Sequence, residues 1–399
     1  MKLVPFSSQY LRLNEPLPLS VRDASGRLLL AAGKAIESTA MLEELSRQSL
    51  FADEGETVDW NRRVAAAMDQ MIRQGAALKD VVAARPETAR DSERVESTVQ
   101  EQWHDLVMQL EAVLREVRPG GDWRGRLFSV HARARTLAQK RPDASLYHLV
   151  YDADHTVEHY SCHHALLTLL ICEQAGPLLD WSPPWVDSLG RAALTMNLAM
   201  MRLQDQLAVD VKPPTAAMRA TIDSHAEVGA MMLREAGLDD ALCCATVALH
   251  HDKGQSEVPL AKLPPERQLA RLLRRVDIFV AKISRRATRA PMSPMQGARE
   301  ACIGVDGVPD EIGGALLKAV GLYPPGSFVE LVSGEIGIVV ARGRRANLPF
   351  VAALVSASGN PLGEPALRDT IERRHAVRAA VPAHQVKVRP QHERLLALR

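Results

Sequence analysis

Three histidines pose the chemical question: His225, and the adjacent pair His250 and His251, within the stretch SHAEVGAMMLREAGLDDALCCATVALHHDKG. The stretch reads as two short helices broken at Gly237-Leu238-Asp239, with His225 opening the first and His250-His251 closing the second. If the helices pack antiparallel, the imidazoles meet at one end of the pair. Clustered neutral imidazoles are usual donors for zinc, iron or manganese, with carboxylates setting charge and geometry. The alternative is a partly exposed histidine at a helix start and a surface pair at a helix C-terminus, where the dipole favours them. Asp277, flanked by Val276, Ile278 and Phe279, adds a carboxylate in apolar company, which is rarely buried without a partner. It answers Arg274 or Arg275, or it faces the histidines.

These residues need helices to hold them. His159, His163 and His164 crowd the start of a helix expected from about Thr156 to Ala175. PPWVDSLGRAALTMNLAMMRLQDQL opens on Pro183-Pro184 and is apolar almost all round from Ala192 to Met201, the pattern of a buried central helix. Its methionines, Met196, Met200 and Met201, suit adaptable core filling. ERQLARLLRRVDIFVAKISRR forms the helix that presents Asp277.

The rest of the chain sorts by pattern. With 399 residues, 46% apolar and 24% charged, it has room for two or three domains and a sizeable core. A net charge of +1 gives no reason to expect DNA or a membrane surface as partner. No apolar run reaches the length of a membrane span and MKLVPFSSQYLRL lacks a signal peptide, so cytoplasmic residence is expected. The five cysteines include no Cys-x-x-Cys pair and fit a reducing compartment.

Residues 1–56 read as a small α/β module, with a hairpin about Asp23-Ala24-Ser25-Gly26 and a helix opening at Ser38-Thr39. Residues 57–120 read as a helical connector broken near Arg85-Pro86-Glu87-Thr88, its stripe through Val64, Met68 and Ile72, then Val99, Trp103, Leu106, Leu110 and Leu114, able to pair two copies as a homodimer. Residues 121–322 form the main helical domain. Residues 323–365 form a β-rich extension of antiparallel strands, broken first at Ser333-Gly334. Residues 366–399 read as a solvated basic tail. The fold class is mainly α.

The order His164, the helix from Ala192 to Met200, His225, His250-His251, Asp277, then Arg286 and Arg289, resembles the HD-GYP branch of the HD superfamily of metal-dependent phosphohydrolases. The resemblance runs from Tyr151 to Leu322. It implies an all-helical domain around a two- or three-metal site and, in intact members, hydrolysis of cyclic di-GMP in bacterial signalling. It also implies that His225, His250, His251 and position 197 ligate one metal, with Asp252 and Glu227 near in sequence, and that His164 and Asp277 ligate another. Arg286 and Arg289 then become candidates for gripping a phosphate, the alternative being a solvated basic face.

The chain departs from the family at its centre. Where intact members read Ala-Leu-Leu-His-Asp-Ile-Gly-Lys, this chain reads Ala193-Leu194-Thr195-Met196-Asn197-Leu198-Ala199-Met200. The histidine falls on Met196, the metal-bridging aspartate on Asn197 and the lysine on Met200. An amide offers one neutral oxygen where a carboxylate would bridge two cations, and thioether sulfur is a poor ligand for iron or manganese. The loop after the histidine pair, Asp252 to Pro259, keeps little of the family's Gly-Tyr-Pro pattern, and a glutamate one turn before His164 is replaced by Tyr160. The expectation is a degenerate site with no catalytic set, holding one divalent metal (zinc, iron or manganese) on its remaining ligands. Such a protein would act as a regulatory module binding a protein partner and a cyclic dinucleotide. A working phosphohydrolase on the residual histidines and a purely structural scaffold are the alternatives.

Overall fold

The computed structural model describes residues 3–73, apart from 8–10, 14, 16, 25, 33 and 37, and residues 98–399, apart from 253, 255–257 and 304–307. The expected break near Arg85 and the turn residue Ser25 lie outside the described residues. The chain divides into two units, Met1–Glu96 and Ser97–Arg399.

The first unit is a four-stranded antiparallel sheet with helices. Strands β1 (Leu3–Phe6), β2 (Val21–Arg22) and β3 (Leu28–Leu30) precede α1 (Thr39–Arg47), β4 (Leu50–Asp53) and α2 (Glu54–Arg73). Ser38 accepts from the Met41 amide and so caps α1, as its residue type predicts. The β2–β3 hairpin forms, and β4 inserts between β1 and β2, with Phe6 opposite Leu50. Val21, Ile36, Ala52 and Trp60 lie in the resulting core.

In the second unit, α3 (Val99–Arg115) opens on a reciprocal capping box between Thr98 and Glu101. Its stripe of Trp103, Leu106, Leu110 and Leu114 is buried in the main core together with Trp123 and Leu127. This half of the stripe expected to pair two copies is therefore covered within this chain. The succession continues with α4 (Trp123–Lys140), α5 (Pro142–His155), α6 (Tyr160–Ala175), α7 (Pro183–Thr195), α8 (Met201–Val209), α9 (Ala216–Glu235), α10 (Ala241–Leu249), α11 (Pro265–Ile283), α12 (Pro294–Cys302) and α13 (Glu311–Val320). The helix buried almost all round is α6. The segment Ala192 to Met201, expected as one central helix, instead stops at Thr195, turns through a 3-10 segment at Leu198–Met200 and restarts as α8. All five cysteines are buried with free thiols. Among the described residues no helix is long and apolar enough to cross a membrane.

The extension forms the expected antiparallel meander, β5 (Phe328–Leu331), β6 (Ile336–Ala341), β7 (Phe350–Val355) and β8 (Pro361–Asp369). Gly334, at φ 82°, makes the first turn, a backbone angle that favours glycine. The segment 366–399 is no solvated tail. Strand β9 (Val377–Val381) pairs with β5 to complete the order β8-β7-β6-β5-β9, and α14 (His392–Leu396) buries Leu395 completely beside Tyr147 and Phe328.

Candidate metal centre

Helix α9 begins at the Thr215 cap, whose hydroxyl accepts from the Met218 amide, so His225 lies mid-helix rather than at its start. Gly237, at φ 84°, ends the helix with Leu238 N–H donating to Leu233 O and Gly237 N–H to Arg234 O, and the chain turns back into α10. Asp240 caps α10 through the Cys243 amide, and its carboxylate also accepts from Arg191 Nε at 2.7 Å and Ser188 Oγ at 3.0 Å on α7. These bonds fix the helix that ends in His250 and His251.

The three imidazoles do converge: each offers a ligand atom within 4.8 Å of the others. His225 Nδ1 donates to Ile222 O at 2.5 Å and His250 Nδ1 to Val247 O at 2.7 Å. A carbonyl oxygen only accepts, so in the neutral rings each Nδ1 holds the proton and each Nε2 presents a lone pair. Those two Nε2 atoms are 3.3 Å apart. Burial, then His251, pushes the His250 pKa down to about 4, which keeps that ring neutral near pH 7.

Asp277 faces His164, with Oδ1 at 2.8 Å from Nε2. Burial raises its pKa, but the His164 hydrogen bond and the nearby His164, His250 and His251 rings outweigh burial and hold it at about 2. Arg275, one of the sequence's candidate partners for it, instead grips Asp310 with two bonds of 2.5 Å. His164 Nδ1 is buried without a hydrogen-bond partner among the described residues.

Met196 and Asn197 form the turn between α7 and the 3-10 segment. Met196 O and Ala199 N lie 3.8 Å from the point where a Cβ on Gly229 would sit, and Val247 is equally close. Gly229 is one turn beyond His225, and the Val247 carbonyl accepts from His250, so the turn packs on the two helices that carry these histidines. Met196 is buried and Met200 partly buried. Asn197 is 8% exposed, and neither its Oδ1 nor its Nδ2 has a hydrogen-bond partner among the described residues.

The other candidates are placed differently. Arg286 donates through Nε and Nη2 to the Tyr160 hydroxyl at 3.1 and 2.9 Å, and its guanidinium lies 5.1 Å from the Tyr160 ring centroid. Tyr160 in turn stacks on His164 at 5.9 Å. Arg289 is exposed and donates to Ala281 O. Asp252 accepts from Arg267 at 2.7 Å, and Glu227 is exposed on α9. A second histidine–carboxylate cluster escaped the sequence reading: His131, Glu173 and Asp187, from α4, α6 and α7. Arg135 pairs with both carboxylates there, so a guanidinium already balances the charge. Nothing in local spacing announces a cluster assembled from three helices.

No family model matches the sequence. Over 205 residues, 51% of its length, the chain is 25% identical to the cyclic di-GMP phosphodiesterase PA4108 of Pseudomonas aeruginosa. The chain spans about half the length of that curated relative, 50%. Among solved structures it is similar to Bd1817, an HDG"Y"P protein from Bdellovibrio bacteriovorus, with 13% identity and a TM-score of 0.44 over 79% of this chain and 99% of that one. The part of the chain these comparisons cover is similar to HD-GYP proteins. Within it, the three histidines, the His164–Asp277 pair and the turn at Asn197 lie on or at the ends of four different helices and at one helix break.

Proposed function

We propose that this chain is a degenerate HD-GYP-like protein of cyclic di-GMP-type signalling, catalytically impaired, that holds one divalent metal on His225, His250 and His251 and acts by binding. The facing Nε2 lone pairs carry this reading. At 3.3 Å they repel one another unless a proton on one ring or a metal cation lies between them, and two nitrogens at zinc's usual bond length on a tetrahedral ion are roughly 3.3 Å apart. The backbone bonds to both Nδ1 atoms are the outer contacts that orient metal-binding imidazoles. The donor set therefore fits zinc, iron or manganese. Such an ion acts as a Lewis acid toward a phosphate oxygen when bound.

Phosphodiester hydrolysis of the binuclear type needs a second cation a few ångströms away. Asn197 brings no charge to hold two cations together, and Met196 and Met200 supply neither imidazole nor ammonium. What remains suits recognition: a metal, the Arg286 and Arg289 cations for phosphate, and a cyclic dinucleotide as ligand, with a protein partner reading the bound state. Metal analysis of protein purified without chelators, paired with a cyclic di-GMP turnover assay, tests this. The expected result is one metal per chain and no turnover, with metal lost in His250→Ala. Two metals per chain together with turnover would overturn it.

A further inference from the structure

Segment 391–399 is held against the rest of the second unit through α14, and His392 is its polar anchor. The Tyr147 hydroxyl donates to His392 Nδ1 at 2.9 Å, and Tyr147 is completely buried on α5. The imidazole meets Tyr151 edge-on at 4.7 Å and Tyr147 at 5.6 Å, and it lies 5.7 Å from the His148 ring. Leu395, one turn further on, closes the apolar cluster that holds Tyr147, Phe328 and Ile338, with Leu396 and Leu398 at its rim. The other ties are open to water. Arg394 pairs with Glu364 at 3.1 Å and Arg399 with Asp143 at 3.7 Å, and the Arg399 guanidinium lies 4.2 Å from the Phe350 ring centroid. Solvent screens such pairs, so the grip depends on Leu395 and on the ring of His392.

That ring is placed to be neutral. To accept from a tyrosine, Nδ1 must offer a lone pair, so His392 carries its proton on Nε2. A second proton puts an N–H where the hydroxyl hydrogen points, and among the described residues that hydroxyl has no other hydrogen-bond partner. The groups that face the ring do not answer a charge. His148 and His155 on α5 are imidazoles themselves: burial, then His155, lowers the His392 pKa, and burial, then His392, pushes His148 down to about 4. His148 Nε2 is buried without a partner among the described residues. Asp152 and Glu393 act on Tyr147, and Asp152 and Asp154 act on Tyr151 against Arg389. Burial raises Asp152 to about 6 and raises Asp154 as well, so both approach neutrality in mild acid, when an imidazolium would need them. Glu393 is exposed.

We infer that α14 is a proton-operated strap: protonation of His392 releases segment 391–399 from α5 and uncovers the apolar cluster around Tyr147 and Phe328. A free histidine titrates near 6.5. Because docking lowers the pKa, docking is strongest above that value and weakens as pH falls below it. Release calls for no opening of α9 and α10, which carry the three clustered histidines, and it does not depend on a metal.

Hydrogen–deuterium exchange of the full chain at about pH 7.5 and about pH 5, normalised to the intrinsic exchange rate at each, tests it. Exchange across 391–399 is expected to be severalfold faster in acid, while α6 stays protected. His392→Asn puts a carbonyl oxygen where Nδ1 accepts and cannot be protonated, so its segment should stay protected at both values. Tyr147→Phe, which removes the donor, should loosen the segment already at the higher pH. Equal protection of the wild-type segment at both values overturns the strap, and so does an acid-dependent loss that survives in His392→Asn. A segment unprotected at both values in that variant also counts against it, since a carbonyl suffices to accept. If the segment and α6 exchange at one rate in acid, the opening is global and there is no strap.

Discussion

On the proposed reading, Asn197 is where a single side chain decides how many cations the centre holds. Its amide is buried with both polar atoms unpaired among the described residues, in a turn that packs against Gly229 one turn beyond His225, while His164 and Asp277 stand 2.8 Å apart. Restoring a carboxylate supplies the charge that a second ion lacks. Asn197→Asp is therefore expected to raise metal content from one toward two per chain, read by elemental analysis; a value that stays at one would show that Met196 matters as much. Much of this was legible from residue types. The convergence of His225, His250 and His251 follows from two helices joined at Gly237, and an aspartate in apolar surroundings called for a partner, with Arg274, Arg275 and the histidines all open until the structure paired it with His164. His225's place within its helix was misread because the start lies at Thr215, behind Pro213-Pro214, where a cap outweighs the local polarity. The Tyr160–Arg286 contact, spanning 126 residues, had no local sign.

Helix packing sets the distances on which those side chains depend, and Gly190 shows how tightly. A Cβ there would stand 2.4 Å from His131 Nε2 and 2.9 Å from Glu173 Oε1 on two neighbouring helices. Both belong to a buried ionic network in which His131 Nε2 is 3.1 Å from Glu173. Gly190→Ala must push that network apart, and overpacking beside a buried charge costs about 2–3 kcal/mol. The expected outcome is a melting temperature several degrees lower, by calorimetry or circular dichroism, with metal content unchanged; an unshifted value would mean that α7 slides freely. Periodicity located these helices but not their ranking. Ala192 to Met201 looked central because its apolar run is long. The run breaks at Asn197, and α6, whose apolar residues are interrupted by His164, Thr168 and Glu173, occupies the centre, with His164 and Glu173 facing partners from other helices.

The protein as a whole should respond to acid through groups whose protonation the fold resists. Burial, then His392, pushes the His148 pKa down to about 4, and burial with His159 and His104 does the same to His163, also to about 4. In the unfolded chain both titrate near 6.5, so between there and 4 the unfolded state binds more protons. Their contribution is intact above about 6.5 and is lost as pH falls toward 4. Asp152 works the other way, because burial raises its pKa from 3.8 to about 6, and its contribution declines as pH rises through that window. His250, also pushed down to about 4, adds to the histidine contribution, and three histidines against one carboxylate leave a net loss of several kcal/mol on acidification from 7 to 4.5. A falling melting temperature over that range is expected, and a flat profile would mean that water reaches these rings. At this scale the sequence was least informative. Segment 366–399 looked solvated from its charge, yet Tyr147 and His392 meet across 245 positions, and no local pattern encodes such a partner.

Every cysteine in the folded chain is shielded: Cys162, Cys172, Cys243, Cys244 and Cys302 are all buried, and burial lifts Cys162 and Cys302 to about 12. Thiolate is the form that reacts with disulfide reagents and alkylating agents. Such reagents therefore find little to attack until the helices part, and then several sulfurs are uncovered together. The chain thus has a built-in chemical clock, in which the rate of thiol capture reports how often the second unit opens.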